Sequence, residues 1–307
     1  VLIESFKPGT LEKMGLAPSF LHTRNPRLII VRISGWGQTG PYRDLPGFGS
    51  LIEGFCGYAQ KNGHEDQPPL LPNMALADMV AGLTGAFATL AALRELEVGH
   101  GQGQVIDLSL LEPMAAIMGP DAANYASTGV KPDARLKIAS PRGVYRCKDG
   151  KWICMSGSTD KMARRIFEII GKGALFDETR FSTNAARLDN DEAIENMLQE
   201  FIGGYDQASC LELFRNAGIT VGPVYDIEEL LQDTHVIERG VYVKSQGQND
   251  AGPVVMHNVV PVLSATPGSL RLPAPRRGQH TAEVLRAMGL DDRDLERLSR
   301  SGAIECE

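Results

Sequence analysis

Runs of apolar residues, bounded by glycine and proline, alternate along the first 128 residues between strand-like and helix-like patterns. Residues 27–34 are mostly apolar and rich in β-branched side chains, which predicts a buried strand. A glycine-rich loop, residues 35–41, follows directly. Ligands bind past the carboxyl ends of strands in open α/β sheets, so this loop is a candidate site, although an ordinary flexible connection explains it equally well. Further on, the pattern predicts helices over about 51–59, from the Asp78 region to Glu97, and over about 108–126, with a short strand at 105–107.

The pattern changes near residue 140. Residues 141–155 alternate around Asp149-Gly150, which predicts a β-hairpin. Helices are predicted near 161–170, 192–202 and 208–217. These elements indicate a smaller α+β domain over 140–223, preceded by a polar linker, 129–139. Residues 224–307 are predicted to hold a short helix, irregular β segments, a proline-rich stretch and two terminal helices.

Three glycines at positions 99, 101 and 103 resemble a dinucleotide-binding fingerprint in spacing. That fingerprint lies after a strand and before a helix, because the phosphate binds at the helix N-terminus. Here the glycines lie after a predicted helix and before a strand. The order therefore predicts a tight turn and no nucleotide site.

Composition excludes several other classes of function. The net charge of −7 and pI of about 5.5 leave no basic surface that would bind nucleic acid. The longest apolar stretch, Met79–Leu93, is shorter than a membrane span, so no membrane contact is predicted. Five scattered cysteines indicate a reducing compartment without disulfides, and neither they nor the six histidines have metal-ligand spacing.

Asp78 is the most informative residue, because no other charge lies between Gln67 and Arg94. Burying a carboxylate in an apolar, small-residue run is costly unless hydrogen bonds or chemistry require it. If the long helix begins at Met79, Asp78 is its N-cap, a purely structural role. The same position would also keep the carboxylate ionised and oriented, the form that acts as a nucleophile.

Several motifs in order along the chain resemble class III CoA-transferases, the family of formyl-CoA and carnitine CoA-transferases that also includes α-methylacyl-CoA racemases. The resemblance covers essentially the whole chain and rests on six segments: Leu2–Gly15, Asn25-Pro-Arg-Leu28 with Ser34-Gly-Trp-Gly-Gln-Thr-Gly-Pro41, Asp78-Met-Val-Ala-Gly82, Gly101-Gln-Gly-Gln104, Gly143-Val-Tyr145 with Asp149-Gly150, and Leu272–Leu285.

The resemblance implies a Rossmann-like α/β large domain, built from residues 1–128 and 224–307, with the smaller domain inserted between them. It also implies an interlocked homodimer. The first six residues, Val1–Phe6, look like the end of a strand already in progress. We therefore expect further βα units of the large domain upstream. By family analogy we expect a cytoplasmic enzyme, or a mitochondrial matrix enzyme if the source is eukaryotic.

The family's chemistry implies that Asp78 is the nucleophile. It would form an aspartyl anhydride with the acyl group and then an aspartyl-CoA thioester. Coenzyme A enters as a substrate, and no permanently bound cofactor or metal is expected. Phe6, Lys13 and Met14 match positions that contact the CoA nucleotide, although Lys13 on its own is equally consistent with a solvated lysine.

The chain looks most similar to family members that use dicarboxylic acids such as succinate. Gly37 and Gln38 of the glycine loop are candidate substrate contacts. Arg135, Lys137 or Arg142 could bind a distal carboxylate of the acceptor, or could be solvated linker charges.

Two departures from the formyl-CoA transferases argue against formyl-CoA and oxalate as substrates. This chain has Phe48-Gly49 where those enzymes have a Tyr-Glu pair, and it lacks their run of glycines that closes over the aspartate. Racemases of this fold use a histidine after the glycine loop, and Pro46–Gly49 contains none. A racemase and an inactive CoA-binding remnant remain the alternatives.

Overall fold

The computed structural model describes residues 1–63, 67–99, 101–131, 137–245 and 252–306. They form two compact units, the N-terminal unit Val1–Ile138 and the C-terminal unit Ala139–Glu307. The boundary lies at the end of the predicted linker. The finer assignment, in which residues 224–307 return to the first domain, stays a prediction, as does the upstream extension.

The N-terminal unit alternates strands and helices. Its elements are β1 (Leu2–Glu4), α1 (Thr10–Lys13), α2 (Pro18–Arg24), β2 (Ile30–Ser34), α3 (Gly49–Phe55), α4 (Tyr58–Asn62), α5 (Leu76–Val98), β3 (Val105–Ser109), α6 (Leu111–Ile117) and α7 (Asp121–Thr128).

The three strands of this unit form one parallel sheet in the order β1-β2-β3, with Ile30 opposite both Leu2 and Val105. Parallel neighbours need crossover connections, and helices supply them here. β2 is buried on both faces, as its β-branched sequence predicts. Between α5 and β3, Gly101 has a φ of 69°, and Gly103 lies so close to the Leu28 carbonyl that no Cβ atom would fit.

Two predicted helices are each divided into two. The predicted helix 51–59 breaks at Gly57, whose φ of 91° lies in the left-handed region, and the chain restarts as α4. The predicted helix 108–126 breaks at Gly119, where φ is 72°, followed by Pro120. Glycine adopts this conformation without steric cost, so the apolar pattern continues although the helix does not.

Helix α5 corrects the prediction about membrane-length segments. It spans 23 residues, and an 18-residue window has a mean hydropathy of 1.6, so by length and composition it could cross a membrane. In the sequence, the glycines and threonines of α5 and the bounds set at Met79 and Leu93 made its apolar stretch look shorter than a membrane span. Fully covered helices of soluble proteins share this composition, so the feature alone is weak evidence for a membrane.

The C-terminal unit begins with the predicted hairpin. Its elements are β4 (Arg142–Arg146), β5 (Trp152–Ser156), α8 (Asp160–Ile169), a 3₁₀ turn (Gly173–Asp177), α9 (Asn184–Asp189), α10 (Asp191–Ile202), α11 (Gln207–Asn216), β6 (Thr220–Val224), α12 (Ile227–Gln232), α13 (Thr234–Glu238), β7 (Tyr242–Ser245), β8 (Val254–His257), α14 (Thr281–Ala287) and α15 (Asp292–Arg300).

Antiparallel pairing joins β4-β5-β6 into one sheet and β7-β8 into another. The Asp149-Gly150 turn closes the first hairpin, with Gly150 at a φ of 82°. One apolar cluster, which includes Tyr145, Phe167 and Phe214, fills the space between this sheet and helices α8, α10 and α11. The predicted α+β character of this region is confirmed.

Candidate active site

Asp78 lies in the first turn of α5, exposed to solvent. The helix begins at Leu76 with Ala75 as its N-cap, so the structural role predicted for Asp78, helix capping, is wrong. Within the described residues, the Asp78 side chain has no hydrogen bond or ion pair. A carboxylate in the first helical turn is still favoured by the helix dipole. Its exposed oxygens are therefore available to an incoming electrophile.

Glu53 of α3 performs the capping that was expected of Asp78. Its side-chain oxygen accepts the backbone N–H of Ala77 at 3.0 Å, and the residue is only 2% exposed. This contact satisfies one of the N–H groups that a helix leaves free at its start. The sequence carried a signal for it, because Glu53 is the single charge between Asp44 and Lys61.

Gly49, the first residue of α3, lies directly against the Asp78 carboxylate. A Cβ atom built on Gly49 would fall onto Asp78 Oδ2. The departure from the Tyr-Glu pair of formyl-CoA transferases thus has a steric counterpart in this chain. With Asp78 in this rotamer, no side chain fits at position 49.

The segment between β2 and α3 folds back on itself beside Gly49. Gly35 and Gly47 approach so closely that a Cβ on either would lie within 2.7 Å of the other's Cα. Trp36 Nε1 donates to the Pro46 carbonyl at 3.0 Å, and its ring packs edge-on against Phe55 at 5.0 Å. Gly35, Gly47 and the Trp36 indole therefore set the path of the loop that leads into Gly49, the residue that lies against Asp78.

The candidate substrate residues Gly37 and Gln38 lie in the same loop. The Gln38 backbone N–H donates to both carboxylate oxygens of Asp107 at 3.0 Å, and the Gly37 N–H donates to Ser34 Oγ at 3.0 Å. Gln38 Nε2 is buried and has no partner among the described residues. An unpaired buried amide is costly, which suits a donor that a ligand satisfies. The substrate role of both residues stays a prediction.

The three candidate CoA contacts lie together near the start of the chain. Phe6 follows β1, Lys13 ends α1, and Met14 caps that helix. All three side chains are exposed. Their exposure leaves them available to a nucleotide, and their role also stays a prediction.

The candidate carboxylate-binding cations are divided between the two units. Arg142 is exposed at the start of β4 in the C-terminal unit, whereas Lys137 is half-buried at the end of the N-terminal unit. Arg135 lies outside the described residues. Whether any of them contributes to a site with Asp78 stays a prediction.

Comparison with known proteins decides the family. The sequence profile described as CoA-transferase family III matches residues 1–281. The chain belongs to CoA-transferase family III.

Curated relatives of this family III chain include the succinyl-CoA–D-citramalate CoA-transferase of Chloroflexus aurantiacus, 33% identical over 99% of this chain and 76% of the relative. The beta subunit of that organism's succinyl-CoA–L-malate CoA-transferase is 35% identical over 96% and 74%. The succinate–glutarate CoA-transferase of Agrobacterium fabrum is 33% identical over 93% and 71%.

A solved structure supports the family fold. The CaiB/BaiF family protein from Brucella suis superposes with a TM-score of 0.79 at 28% identity, over 93% of this family III chain and 74% of that protein. The predicted α/β class and the family resemblance are confirmed. The match does not test the interlocked dimer.

Proposed function

We propose that this family III enzyme transfers coenzyme A from an acyl-CoA donor to a dicarboxylic acid acceptor, with Asp78 as the covalent nucleophile. The observation that carries the site assignment is the exposed Asp78 carboxylate, which lies in the first turn of α5 against a residue without a side chain. A solvent-exposed carboxylate beside a residue without a side chain is suited to nucleophilic attack on a thioester.

The substrates named for the relatives support the acceptor class. Citramalate, malate and glutarate each carry two carboxylates, and succinyl-CoA or succinate is named with each of them. One carboxylate of such an acid must react, and the other remains charged at a distance. We therefore propose succinyl-CoA as the donor and a C4 or C5 dicarboxylate as the acceptor.

The proposed reaction conserves the thioester bond energy. An Asp78 oxygen attacks the thioester carbon and the C–S bond breaks. The CoA thiolate departs, and the acyl group stays on Asp78 as an aspartyl anhydride. The thiolate then attacks the Asp78 carbonyl, which releases the donor acid and forms an aspartyl-CoA thioester. The acceptor carboxylate displaces the thiolate to give a second anhydride. Attack of the thiolate on the acceptor's carbonyl then yields the new acyl-CoA and regenerates Asp78.

Both anhydrides and the thioester must be shielded from water. Phe48 and Met79, the sequence neighbours of Gly49 and Asp78, expose large apolar side chains. Covering these side chains with the acyl-CoA would displace water from the reacting groups.

We extend the proposal to a homodimer. Helix α5 exposes Met79, Leu83, Phe87 and Leu90 at helical spacing, and both Leu83 and Phe87 are about three-quarters exposed. Large contiguous apolar surfaces mark interaction sites. Sedimentation of the protein, compared with a Leu83→Lys variant, tests whether this face is covered by a second chain.

Mass spectrometry of the tryptic peptide 62–94, which contains Asp78, tests the catalytic assignment directly. After incubation with succinyl-CoA, the peptide should carry CoA, and hydroxylamine should convert Asp78 to the hydroxamate. The Asp78→Asn variant should show neither adduct, together with at least a roughly 10³-fold loss of kcat. Asp121→Asn, which changes another first-turn acidic residue of the same unit, is the matched control.

Two results would contradict the proposal. Exchange of the α-proton in deuterated water without an adduct would indicate a racemase. Tight CoA binding with neither adduct nor exchange would indicate a remnant.

The acceptor assignment has its own test. Succinate, glutarate and malate should accept CoA, whereas butyrate, which has one carboxylate, should be used at least about tenfold less efficiently. If Arg142 binds the distal carboxylate, Arg142→Ala should raise the KM for dicarboxylates and leave butyrate unaffected. Equal KM values would exclude that role for Arg142.

A further inference from the structure

Arg32 of β2 binds two carboxylates at once, and the proposed reaction does not involve it. Its Nε donates to Glu4 Oε1 at 2.7 Å. Its Nη1 and Nη2 donate to the two oxygens of Glu12 at 2.7 and 3.2 Å. Arg32 and Glu4 are each only 6% exposed, whereas the Glu12 side chain is 39% exposed. A buried guanidinium with a bidentate partner has one well-defined geometry.

The two carboxylates lie at opposite ends of one short segment. Glu4 ends β1, and its second oxygen accepts the Phe6 N–H at 2.8 Å. Glu12 lies in α1, immediately before Lys13 and Met14. Besides the buried Leu11, one side chain of the neighbouring strand, Arg32, therefore ties both the start of the segment Phe6–Met14 and its helix α1 to the sheet.

Because Arg32 and Glu4 are charged and buried, the Arg32–Glu4–Glu12 contacts are sensitive to single substitutions. The hydrogen bond from Arg32 is the main cause of a lowered Glu12 pKa, so the pair stays charged at neutral pH. Removing one partner of a buried ion pair leaves an uncompensated charge, whereas removing a half-exposed partner is milder. Changing Glu12 should therefore release α1 and leave the Arg32–Glu4 pair in the sheet.

We propose that Arg32, acting through Glu4 and Glu12, is a positioning residue that holds Phe6–Met14 ready to bind the nucleotide of the CoA thioester. This inference rests on the proposed assignment of Phe6, Lys13 and Met14 as nucleotide contacts. A segment held in its binding geometry loses less conformational entropy when the ligand binds. If the segment is released, only a fraction of the molecules is competent to bind, and the apparent affinity falls by that fraction.

The test compares two donors, succinyl-CoA and succinyl-pantetheine, which carries the same thioester without the nucleotide. Glu12→Gln should raise the KM for succinyl-CoA by roughly fivefold to tenfold with kcat unchanged, and should leave succinyl-pantetheine unaffected. Arg32→Lys, which keeps the charge but loses the fork, should have a larger effect in the same direction. Asp121→Asn removes the 2.6 Å ion pair with Lys61 in the same unit and should change neither donor.

Lys13→Ala separates the failure of this inference from failure of the nucleotide assignment. If Lys13→Ala selectively impairs succinyl-CoA and Glu12→Gln does not, the assignment stands and the positioning role is overturned. If neither variant discriminates between the donors, both fail. An equal loss of kcat with both donors in Glu12→Gln would show a merely structural contact and would also overturn the inference. Because Glu12→Gln leaves the buried pair intact, the test does not depend on whether Arg32→Lys folds.

Discussion

The two units of this enzyme bury their apolar side chains in different ways. In the C-terminal unit one continuous cluster joins the β4-β5-β6 sheet to three helices, and Phe214 at its centre is fully buried. In the N-terminal unit the buried side chains form separate small clusters, one around Val31 and one around Ile52. Phe87 on the long helix of that unit is 75% exposed.

The difference follows from what each region must do. A region with a closed core is stable through its own packing. The region that carries Asp78 leaves apolar surface open on the same helix, and contiguous apolar surface of this kind marks a place where something else binds. If Asp78 has its proposed role, the continuous apolar cluster and the reacting group lie in different units of the chain.

The strongest test of this comparison changes one phenylalanine in each unit. Phe214→Ala removes a fully buried ring and should lower the free energy of unfolding of the C-terminal unit by about 3–5 kcal/mol. Phe87→Ala changes a ring that is exposed in the single chain, and in the monomer it should alter the stability of the N-terminal unit by less than about 0.5 kcal/mol.

The two tryptophans allow each unit to be followed separately during urea unfolding. Trp36 lies in the N-terminal unit and Trp152 in the C-terminal unit. In a Trp36→Phe background the remaining Trp152 reports the unfolding of the C-terminal unit. In a Trp152→Phe background the remaining Trp36 reports the unfolding of the N-terminal unit. A loss above about 2 kcal/mol for Phe87→Ala that persists at protein concentrations where the chain is a monomer would show that the ring packs within its own unit, and the contrast between the units would then disappear.

A buried arginine extends the comparison from apolar to polar groups. Arg187 is fully buried and donates to the carbonyls of Ser140 and Phe181 at 2.7 and 3.0 Å and to Asp160 Oδ1 at 2.6 Å. Arg187→Met keeps the volume but leaves two carbonyls unpaired, so it should destabilise the C-terminal unit by about 2–4 kcal/mol.

Asp160→Asn is the matched control, because the Asp160 side chain is 69% exposed and the two carbonyl contacts remain. Its cost should be below about 1 kcal/mol in the same unfolding experiment. Equal losses of unfolding free energy for both variants would show that the Arg187–Asp160 ion pair, and not the two carbonyl hydrogen bonds, stabilises the unit.

Local patterns predicted the elements that local chemistry determines. The buried strand β2, the glycine turn before β3 and the Asp149-Gly150 hairpin each follow from residue types within a few positions. The divided helices were missed because the apolar pattern continues through Gly57 and Gly119, although the glycines themselves were a signal. The family motifs predict a nucleophile at Asp78, where spacing alone had predicted a helix cap.

Contacts between distant segments could not be predicted from those patterns. The true cap of α5 is the side chain of Glu53, 24 positions before Ala77. Arg32 brings together Glu4 and Glu12 from 28 and 20 positions away. Each of these contacts depends on how helices and strands pack, and no periodicity in a single segment encodes it.

The glycines of the site region sharpen the comparison at the level of activity. Gly49→Ala would place a methyl group on the Asp78 carboxylate and should lower kcat about tenfold with little change in stability. Gly54→Ala, in the same helix with nothing within 4 Å of the added Cβ, should leave kcat unchanged. A full kcat for Gly49→Ala would mean that the Asp78 side chain adopts another rotamer during catalysis.

Cysteine reactivity gives the most sensitive test of whether the apolar cluster of the C-terminal unit excludes solvent. Cys147 and Cys210 belong to its buried cluster, whereas Cys154 of the same unit is exposed. At pH 8, iodoacetamide should label Cys154 in the native protein, and should label Cys210 only when the unit unfolds. Labelling of Cys210 as fast as Cys154, measured by peptide mass spectrometry, would contradict a closed core.

The same thiols predict how the stability of the C-terminal unit depends on alkaline pH. Burial, together with the neighbouring Cys147, raises the pKa of Cys210 from 9.0 to about 12. The folded state therefore holds its proton where the unfolded state has lost it, so stability is fully present below pH 9 and falls as pH rises toward 12. Cys210→Ala should reduce this slope in urea unfolding followed through Trp152, whereas Cys154→Ala should not. An unchanged slope in Cys210→Ala would assign the alkaline loss to other groups.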